Sequence, residues 1–103
     1  MFRYTVTLRG DPAARGQLSL YLASDRIPGR FGSVRVLEVL PFTYLTVFHQ
    51  RTDGVSQRVP HAQRQFTPAS VLRTVETRIQ LVGGDGGAEL KSFIATYGTV
   101  TGP

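Results

Sequence analysis

Few residues in this sequence are of types that carry chemistry, and their spacing does not assemble an active-site motif. The chain has no cysteine, which excludes disulfides, thiolate nucleophiles and thiolate metal ligands. Its two histidines, His49 and His61, are not at metal-ligand spacing on one element, so we interpret both as surface residues. The aspartates occupy turn-like contexts, and the glutamates have no partner that the sequence indicates. The sequence therefore predicts a protein that is not an enzyme and that uses no metal or cofactor.

The glycine-rich run Gly83–Gly87 is the one segment that resembles a phosphate-binding loop. Such loops place their glycines between a strand and the start of a helix, and the Walker type ends in Gly-Lys-Ser/Thr. Here the glycines follow a predicted helix, and Asp85 lies among them. We therefore interpret this run as a flexible connection.

The charge of the chain points to an acidic partner. The net charge is +5, and eleven of the twelve basic residues are arginine, which favours forked contacts with carboxylate or phosphate. A GC-rich genome would produce the same bias, so a compositional origin stays open. The most basic stretch, residues 51–73, is either a mobile arm that docks on an acidic surface or a solvated loop. The predicted partner-binding residues are Arg51, Arg58, Arg64, Phe66, Arg73 and Arg78.

Aromatic residues concentrate in the predicted strands, where they could stack on nucleic-acid bases. The nucleic-acid-binding signature of such sheets, Arg/Lys-Gly-aromatic-Gly/Ala-aromatic, is absent from residues 42–50 and 90–97. Core or interface positions are the better interpretation, and RNA or single-stranded DNA stays as an alternative partner.

Five stretches have the alternation or the β-branched composition of strands: residues 2–9, 33–40, 42–50, 55–59 and 90–100. Asp53-Gly54 predicts a tight turn that joins the third of these to the fourth. Residues 60–65 are polar and basic and are predicted to form an exposed loop, and the tail 98–103 is expected to trail off.

Two further segments fit a helix. Thr67-Pro68 is a suitable helix opening, the apolar residues of 71–82 fall on one helical stripe, and Gly83 would end the helix. A hairpin strand is the alternative for 71–82. The segment after Asp11-Pro12 has a helical stripe through Leu18 and Leu22, but residues 17–23 also alternate, so helix and strand both stay open there.

The order strand, helix, strand, strand, helix, strand predicts an α+β, ferredoxin-like β-α-β-β-α-β sandwich, with an antiparallel sheet and both helices on one face. The chain of 103 residues is predicted to be one domain, 1–103, with internal halves 1–41 and 42–103. Each half has Arg-Ile at the end of its predicted helix and a glycine six residues after that arginine.

The second helical segment resembles the small capping linkers of phycobilisomes. These linkers have a proline-started helix that ends in Arg-Ile, then three residues, Gly-Gly and a return strand. This chain has Pro68, then Arg78-Ile79, then Gly83-Gly84, at the same spacing. Residues 1–8 also resemble the opening strand of the family. The match covers about a third of the chain.

Residues 85–87 and 33–59 depart from the family pattern. The resemblance implies a non-enzymatic linker whose basic surface inserts into an acidic phycobiliprotein ring, with Arg73, Arg78 and strand aromatics near the bilins. We therefore expect an assembly or linker module that acts in a larger complex. The alternatives are a viral or ribosome-associated nucleic-acid-binding module and a β-rich viral structural subunit. No apolar run reaches the ~18–20 residues of a membrane span. The expected location is the cytoplasm, with attachment to a thylakoid or other membrane through a complex as the alternative.

Overall fold

The computed structural model describes residues 2–8, 10–11 and 13–100, with the backbone alone at Phe2. The strand end predicted at Arg9, the predicted helix opening at Pro12 and residues 101–103 of the tail lie outside the described residues. One 3₁₀ helix, Ala69–Leu72, accompanies the strands. The strands are β1 (Phe2–Thr5), β2 (Arg15–Arg26), β3 (Gly32–Val39), β4 (Tyr44–Thr52), β5 (Val55–Val59), β6 (His61–Phe66), β7 (Thr74–Val82) and β8 (Glu89–Val100).

The strands form two antiparallel sheets that share one hydrophobic core. The larger sheet has the order β1-β7-β3-β4-β5, and the smaller has the order β6-β2-β8. Alternate residues of each inner strand point into the core, which is the pattern of a β-sandwich. The buried cluster is Leu18, Leu20, Leu22, Ile27, Val34, Val36, Leu40, Leu45, Val47, Phe66, Leu72 and Val75.

The ferredoxin-like prediction is wrong, because the two helices on which it depends are strands. The predicted helix at residues 68–82 is the short 3₁₀ helix followed by β7. In β7, Val75 and Thr77 are buried, and the intervening polar residues face outward. Two of these outward residues pair with each other, since the Arg78 Nε donates to a Glu76 oxygen at 3.1 Å. Threonine and valine, which dominate this stretch, favour the pleated backbone.

The other ambiguous segment is also a strand. Leu18, Leu20 and Leu22 are all fully buried in β2, so the alternation at residues 17–23 is the correct interpretation. The exposed loop predicted at residues 60–65 is wrong as well, because β6 pairs with β2 there. Residues 98–100 continue β8 and do not trail off.

The strands predicted at residues 33–40, 42–50, 55–59 and 90–100 are confirmed by β3, β4, β5 and β8. The strand predicted at 2–9 is confirmed in part, because β1 ends at Thr5 and residues 6–8 lie outside it. Asp53 (φ 51°) and Gly54 (φ 80°) both have positive φ, as a two-residue type I′ hairpin turn requires. The Thr52–Val55 pair closes this turn and fixes the register of β5 on β4. Within the described ranges, no helix is long and apolar enough to cross a bilayer.

The glycine-rich run is anchored through Asp85 to the loop before β3. Its carboxylate accepts hydrogen bonds from the backbone N–H groups of Phe31, at 3.0 Å, and Arg30, at 3.2 Å. These two donors lower the pKa of Asp85 below its usual value. A Cβ at Gly84 would lie 2.2 Å from the Phe31 carbonyl oxygen, so only glycine fits this approach. The run is therefore held against the loop before β3 by specific hydrogen bonds, and the interpretation as a flexible connection is wrong.

Candidate functional site

Three polar side chains from separate strands meet at the rim of the sandwich. His49 lies on β4, Ser56 lies on β5, and Asp25 lies near the end of β2. The pairing of β2 with β8 is irregular between Leu22 and Asp25, and this irregularity reverses the alternation of β2. Asp25 consequently faces inward, with a side chain that is only 3% exposed. The sandwich thus brings together residues that lie far apart in sequence.

The hydrogen bonds at this rim set the tautomer of His49. Its Nδ1 contacts a carboxylate oxygen of Asp25, and its Nε2 lies 3.3 Å from the Ser56 hydroxyl oxygen. An ionised carboxylate only accepts hydrogen bonds, so Nδ1 carries the proton. With the proton on Nδ1, the unprotonated form of Nε2 directs its lone pair at the Ser56 hydroxyl. This order of hydroxyl, imidazole and carboxylate is the arrangement used for nucleophilic catalysis.

Arg58 orients the carboxylate of Asp25 from the other side. Its Nη2 lies 3.2 Å and its Nε 3.4 Å from Asp25 Oδ1, which leaves Oδ2 for His49. Nη2 also donates to the Leu22 carbonyl oxygen at 2.9 Å. Arg58 therefore ties β5 of the larger sheet to β2 of the smaller sheet.

A second polar cluster surrounds Glu38, which is fully buried. Tyr4 donates to Glu38 Oε2 at 2.6 Å, Tyr97 donates to the same oxygen at 2.8 Å, and Thr77 donates to Oε1 at 2.9 Å. The two tyrosine hydroxyls also contact each other, and their rings pack edge to face with centroids 5.9 Å apart. Tyr97 comes from the smaller sheet and the other three from the larger sheet, so this network joins the two layers.

Burial dominates the electrostatics of this second cluster. Desolvation raises the pKa of Glu38 from 4.5 to about 7, and the hydrogen bond from Thr77 lowers it by a smaller amount. Burial also raises the pKa of Tyr97 above its usual value. A cavity of about 320 Å³ adjoins the cluster and is lined by Arg3, Tyr4, Thr77, Ile79 and Phe93. Because the hydroxyls of Tyr4 and Thr77 already bind Glu38, the cavity offers mainly apolar walls.

A third feature is the outward surface of the larger sheet, here called the outer face. Strand register places apolar side chains of β3, β4 and β5 side by side on it, with arginines around them. Tyr44 is 57% and Val59 39% exposed, and the Arg35 guanidinium lies 5.5 Å from the centre of the Phe48 ring. The outer face consists of Leu37, Val39, Tyr44, Thr46, Phe48 and Val59, with Arg3, Arg35, Glu76 and Arg78 at its margin.

The structure distributes the six predicted partner-binding residues over several surfaces. Arg51 and Arg58 lie on the inward side of the β4–β5 hairpin, where Arg51 donates to the Ile27 carbonyl oxygen at 3.2 Å. Arg64 donates to the Thr43 hydroxyl at 2.7 Å, and Phe66 is buried against Phe42. Arg73, after the 3₁₀ helix, and Arg78, on the outer face, are exposed, as are Arg58 and Arg64.

Sequence reasoning missed the residues of both polar clusters. His49 was predicted to be a surface residue, but its side chain is only 16% exposed. His61 is exposed, as predicted. Glu38 lies two residues after Val36 and four after Val34, so its side chain points to the same face of β3 as theirs. This alternation could have identified a buried carboxyl group. The meeting of Asp25 with His49 has no such local signal.

Among the described residues, no group of three or more histidines, aspartates or glutamates could hold a metal ion. Comparison with known proteins adds no further assignment. No protein-family model, no curated protein and no solved structure matches this chain. Any functional conclusion must therefore come from its own surfaces and side chains.

Proposed function

We propose that this chain is an assembly or linker module that docks on an acidic protein through the outer face. The observation that supports this proposal is an uncovered apolar surface bordered by arginines. No element of the described chain packs on that side of the larger sheet. Tyrosine, phenylalanine and arginine are the residues that protein interfaces favour over general surface.

Charge complementarity selects an acidic partner. Three arginines lie at the margin against one glutamate, Glu76, and the whole chain carries a net charge of +5. Arginine forks pair well with carboxylates at partly desolvated interfaces. Because the outer face is positively charged, pairing with a second copy of itself would bring like charges together. The resemblance to small phycobilisome linkers makes acidic phycobiliproteins one partner to test.

A protein partner fits the outer face better than a nucleic acid does. The aliphatic side chains of Leu37, Val39 and Val59 bury well against another protein but offer no ring for base stacking. The ring of Phe48 is already covered by Arg35. Glu76 would also repel a phosphate backbone that approached the margin.

The test compares two double variants with the same change in charge. Arg35→Glu/Arg78→Glu alters the outer face, and Arg15→Glu/Arg73→Glu alters exposed arginines elsewhere. We expect the outer-face variant to lose at least about tenfold in affinity for acidic proteins, because each interface arginine contributes on the order of 1–2 kcal/mol. Quantitative mass spectrometry of proteins captured from nuclease-treated lysates of the producing cells measures this loss.

Equal capture by the two double variants would contradict the proposal. Capture that disappears after nuclease treatment, or wild-type binding of a single-stranded oligonucleotide that falls steeply with salt, would favour the nucleic-acid module instead. Purified phycobiliprotein, added to wild type and to both variants, tests the narrower partner class directly.

The all-β architecture favours a second candidate, a structural subunit of a self-assembling particle. β5 ends the larger sheet, and its residues are all exposed, so its free edge is available to a strand of another copy. Light scattering of the purified chain over a range of concentrations tests this candidate. Growth into large particles would support it, and a concentration-independent monomer would remove it.

A further inference from the structure

We infer that Ser56 is a reactive nucleophile, activated by His49 and Asp25, that accepts acyl groups from activated esters. This activity goes beyond docking, and it differs from the sequence-based expectation that the chain is not an enzyme. Its basis is the geometry at the rim, where three strands from two sheets bring together a hydroxyl, an imidazole and a buried carboxylate.

The hydrogen-bond order gives the proton a defined route. Asp25 accepts from His49 Nδ1, so the free lone pair of the ring is on Nε2, 3.3 Å from Ser56 Oγ. Arg58 occupies the other oxygen of Asp25 and keeps the carboxylate oriented toward the ring. Asp25 is therefore a positioning residue, whereas His49 and Ser56 are the groups that meet the substrate.

The edge position of β5 supplies an oxyanion donor. In an antiparallel pair, residues that exchange backbone hydrogen bonds alternate with residues that do not. Thr52 and Val55 close the two-residue turn and form a bonded pair, so the next pair, Arg51 and Ser56, is not bonded. The N–H of Ser56 consequently points to the free edge of the sheet, close to its own hydroxyl. There it can donate to the oxygen of an attacked carbonyl.

The chemical step balances without a cofactor. Ser56 Oγ attacks the carbonyl carbon of p-nitrophenyl acetate, and its proton passes to His49 Nε2. The new Oγ–C bond forms as the bond from that carbon to the p-nitrophenolate oxygen breaks. His49 Nε2 then gives its proton to the departing p-nitrophenolate, which makes the ring a base again. Water attacks the acetyl carbon as Nε2 takes one of the water protons, the Oγ–C bond breaks, and that proton returns to Ser56 Oγ, which releases acetic acid and restores the hydroxyl.

Labelling with a fluorophosphonate tests the reactivity of Ser56 directly. Its Oγ forms a bond to phosphorus as fluoride leaves, and peptide mass spectrometry locates the added mass. Ser92, an exposed serine on β8, is the control within the same molecule. We expect labelling of Ser56 to exceed that of Ser92 by about 100-fold or more, because a positioned general base contributes on the order of 10²–10⁴.

Three variants of the site and one control variant separate this activity from a structural role. Ser56→Ala should abolish both the labelling and the release of p-nitrophenolate, whereas Ser92→Ala should change neither. His49→Gln and Asp25→Asn should each slow labelling by about 100-fold, with far-UV circular dichroism used to confirm that each variant is folded. Asparagine would donate to Nδ1 and leave the proton on Nε2, so the ring would lose its role as a base.

Equal labelling of Ser56 and Ser92 in the wild-type chain would overturn the inference, whether or not the variants fold. A folded His49→Gln chain that labels as fast as wild type would also overturn it. Either result would leave the docking proposal standing, because the outer face lies on the opposite side of the larger sheet from Ser56.

Discussion

We expect the free energy of unfolding of the wild-type chain to fall as the pH rises from 5 to 9. Replacing Glu38 with glutamine should remove most of this fall. Glu38 is fully buried, and its neighbours are the neutral hydroxyls of Tyr4, Thr77 and Tyr97. No salt bridge to Glu38 occurs among the described residues. Ionisation therefore places an uncompensated charge between the two sheets.

The sign follows from the direction of the pKa change. Burial raises the pKa of Glu38 from 4.5 to about 7, so the folded chain holds the proton more tightly than the unfolded chain does. The resulting stability is complete below 4.5 and is lost as the pH rises through about 7. One pKa unit is equivalent to about 1.4 kcal/mol, so the free energy of unfolding should fall by about 3 kcal/mol in total.

Urea denaturation at a series of pH values measures this effect. The Glu38→Gln chain should be more stable than wild type by about 2–3 kcal/mol near pH 9 and should differ little near pH 5. Glu89→Gln, at an exposed position at the start of β8, is the matched control and should keep the wild-type pH dependence. A wild-type stability that stays constant from about pH 5 to 9 would refute this account of Glu38.

The strands that sequence analysis predicted correctly are those with a local signal. β3, β4 and β8 have the alternation or β-branched composition of strands, and the turn before β5 has the Asp-Gly pair that a type I′ geometry requires. These features depend on neighbouring residues alone. They are therefore visible before any partner strand is known.

The failures arose where both periodicities fit the same residues. In residues 71–82 the apolar positions satisfy a helical stripe, although Thr74–Val82 forms a strand. The strand holds its outward charges in ion pairs, since Glu76 pairs with Arg78 on β7 itself and with Arg3 on β1. β1 and β7 are adjacent in the sheet but about seventy residues apart in sequence. Local pattern analysis cannot anticipate such a partner.

In the candidate site, too, some residues have a local sequence signal and others do not. The parity of Glu38 with Val34 and Val36 is a local signal for a buried carboxyl group. Asp25, by contrast, faces His49 only because of the irregularity in β2 and the packing of the two sheets. Arginine content correctly identified a positively charged chain. It could not separate arginines that hold strands together, such as Arg58, from those on the outer face.

Replacing Leu20 with alanine should cost about 3 kcal/mol of unfolding free energy, with measured costs for such buried leucines in the range of about 2–5 kcal/mol. Leu20 is fully buried at the centre of β2, the middle strand of the smaller sheet. The cost combines the lost burial of the side chain with the cavity that remains between the sheets.

Tyr21→Ala is the control, and its comparison with Leu20→Ala distinguishes a strand from a helix at residues 17–23. Tyr21 points outward, is 44% exposed, and packs edge to face against the ring of His61, with centroids 6.5 Å apart. We expect its loss to cost less than about 1.5 kcal/mol, because its ring contributes mainly partial burial and one aromatic pair. In a helix, Tyr21 would share the buried stripe with Leu18 and Leu22, and Leu20 would lie outside it. Urea unfolding of the two variants decides between these arrangements, since a larger cost for Tyr21→Ala than for Leu20→Ala would contradict the sandwich.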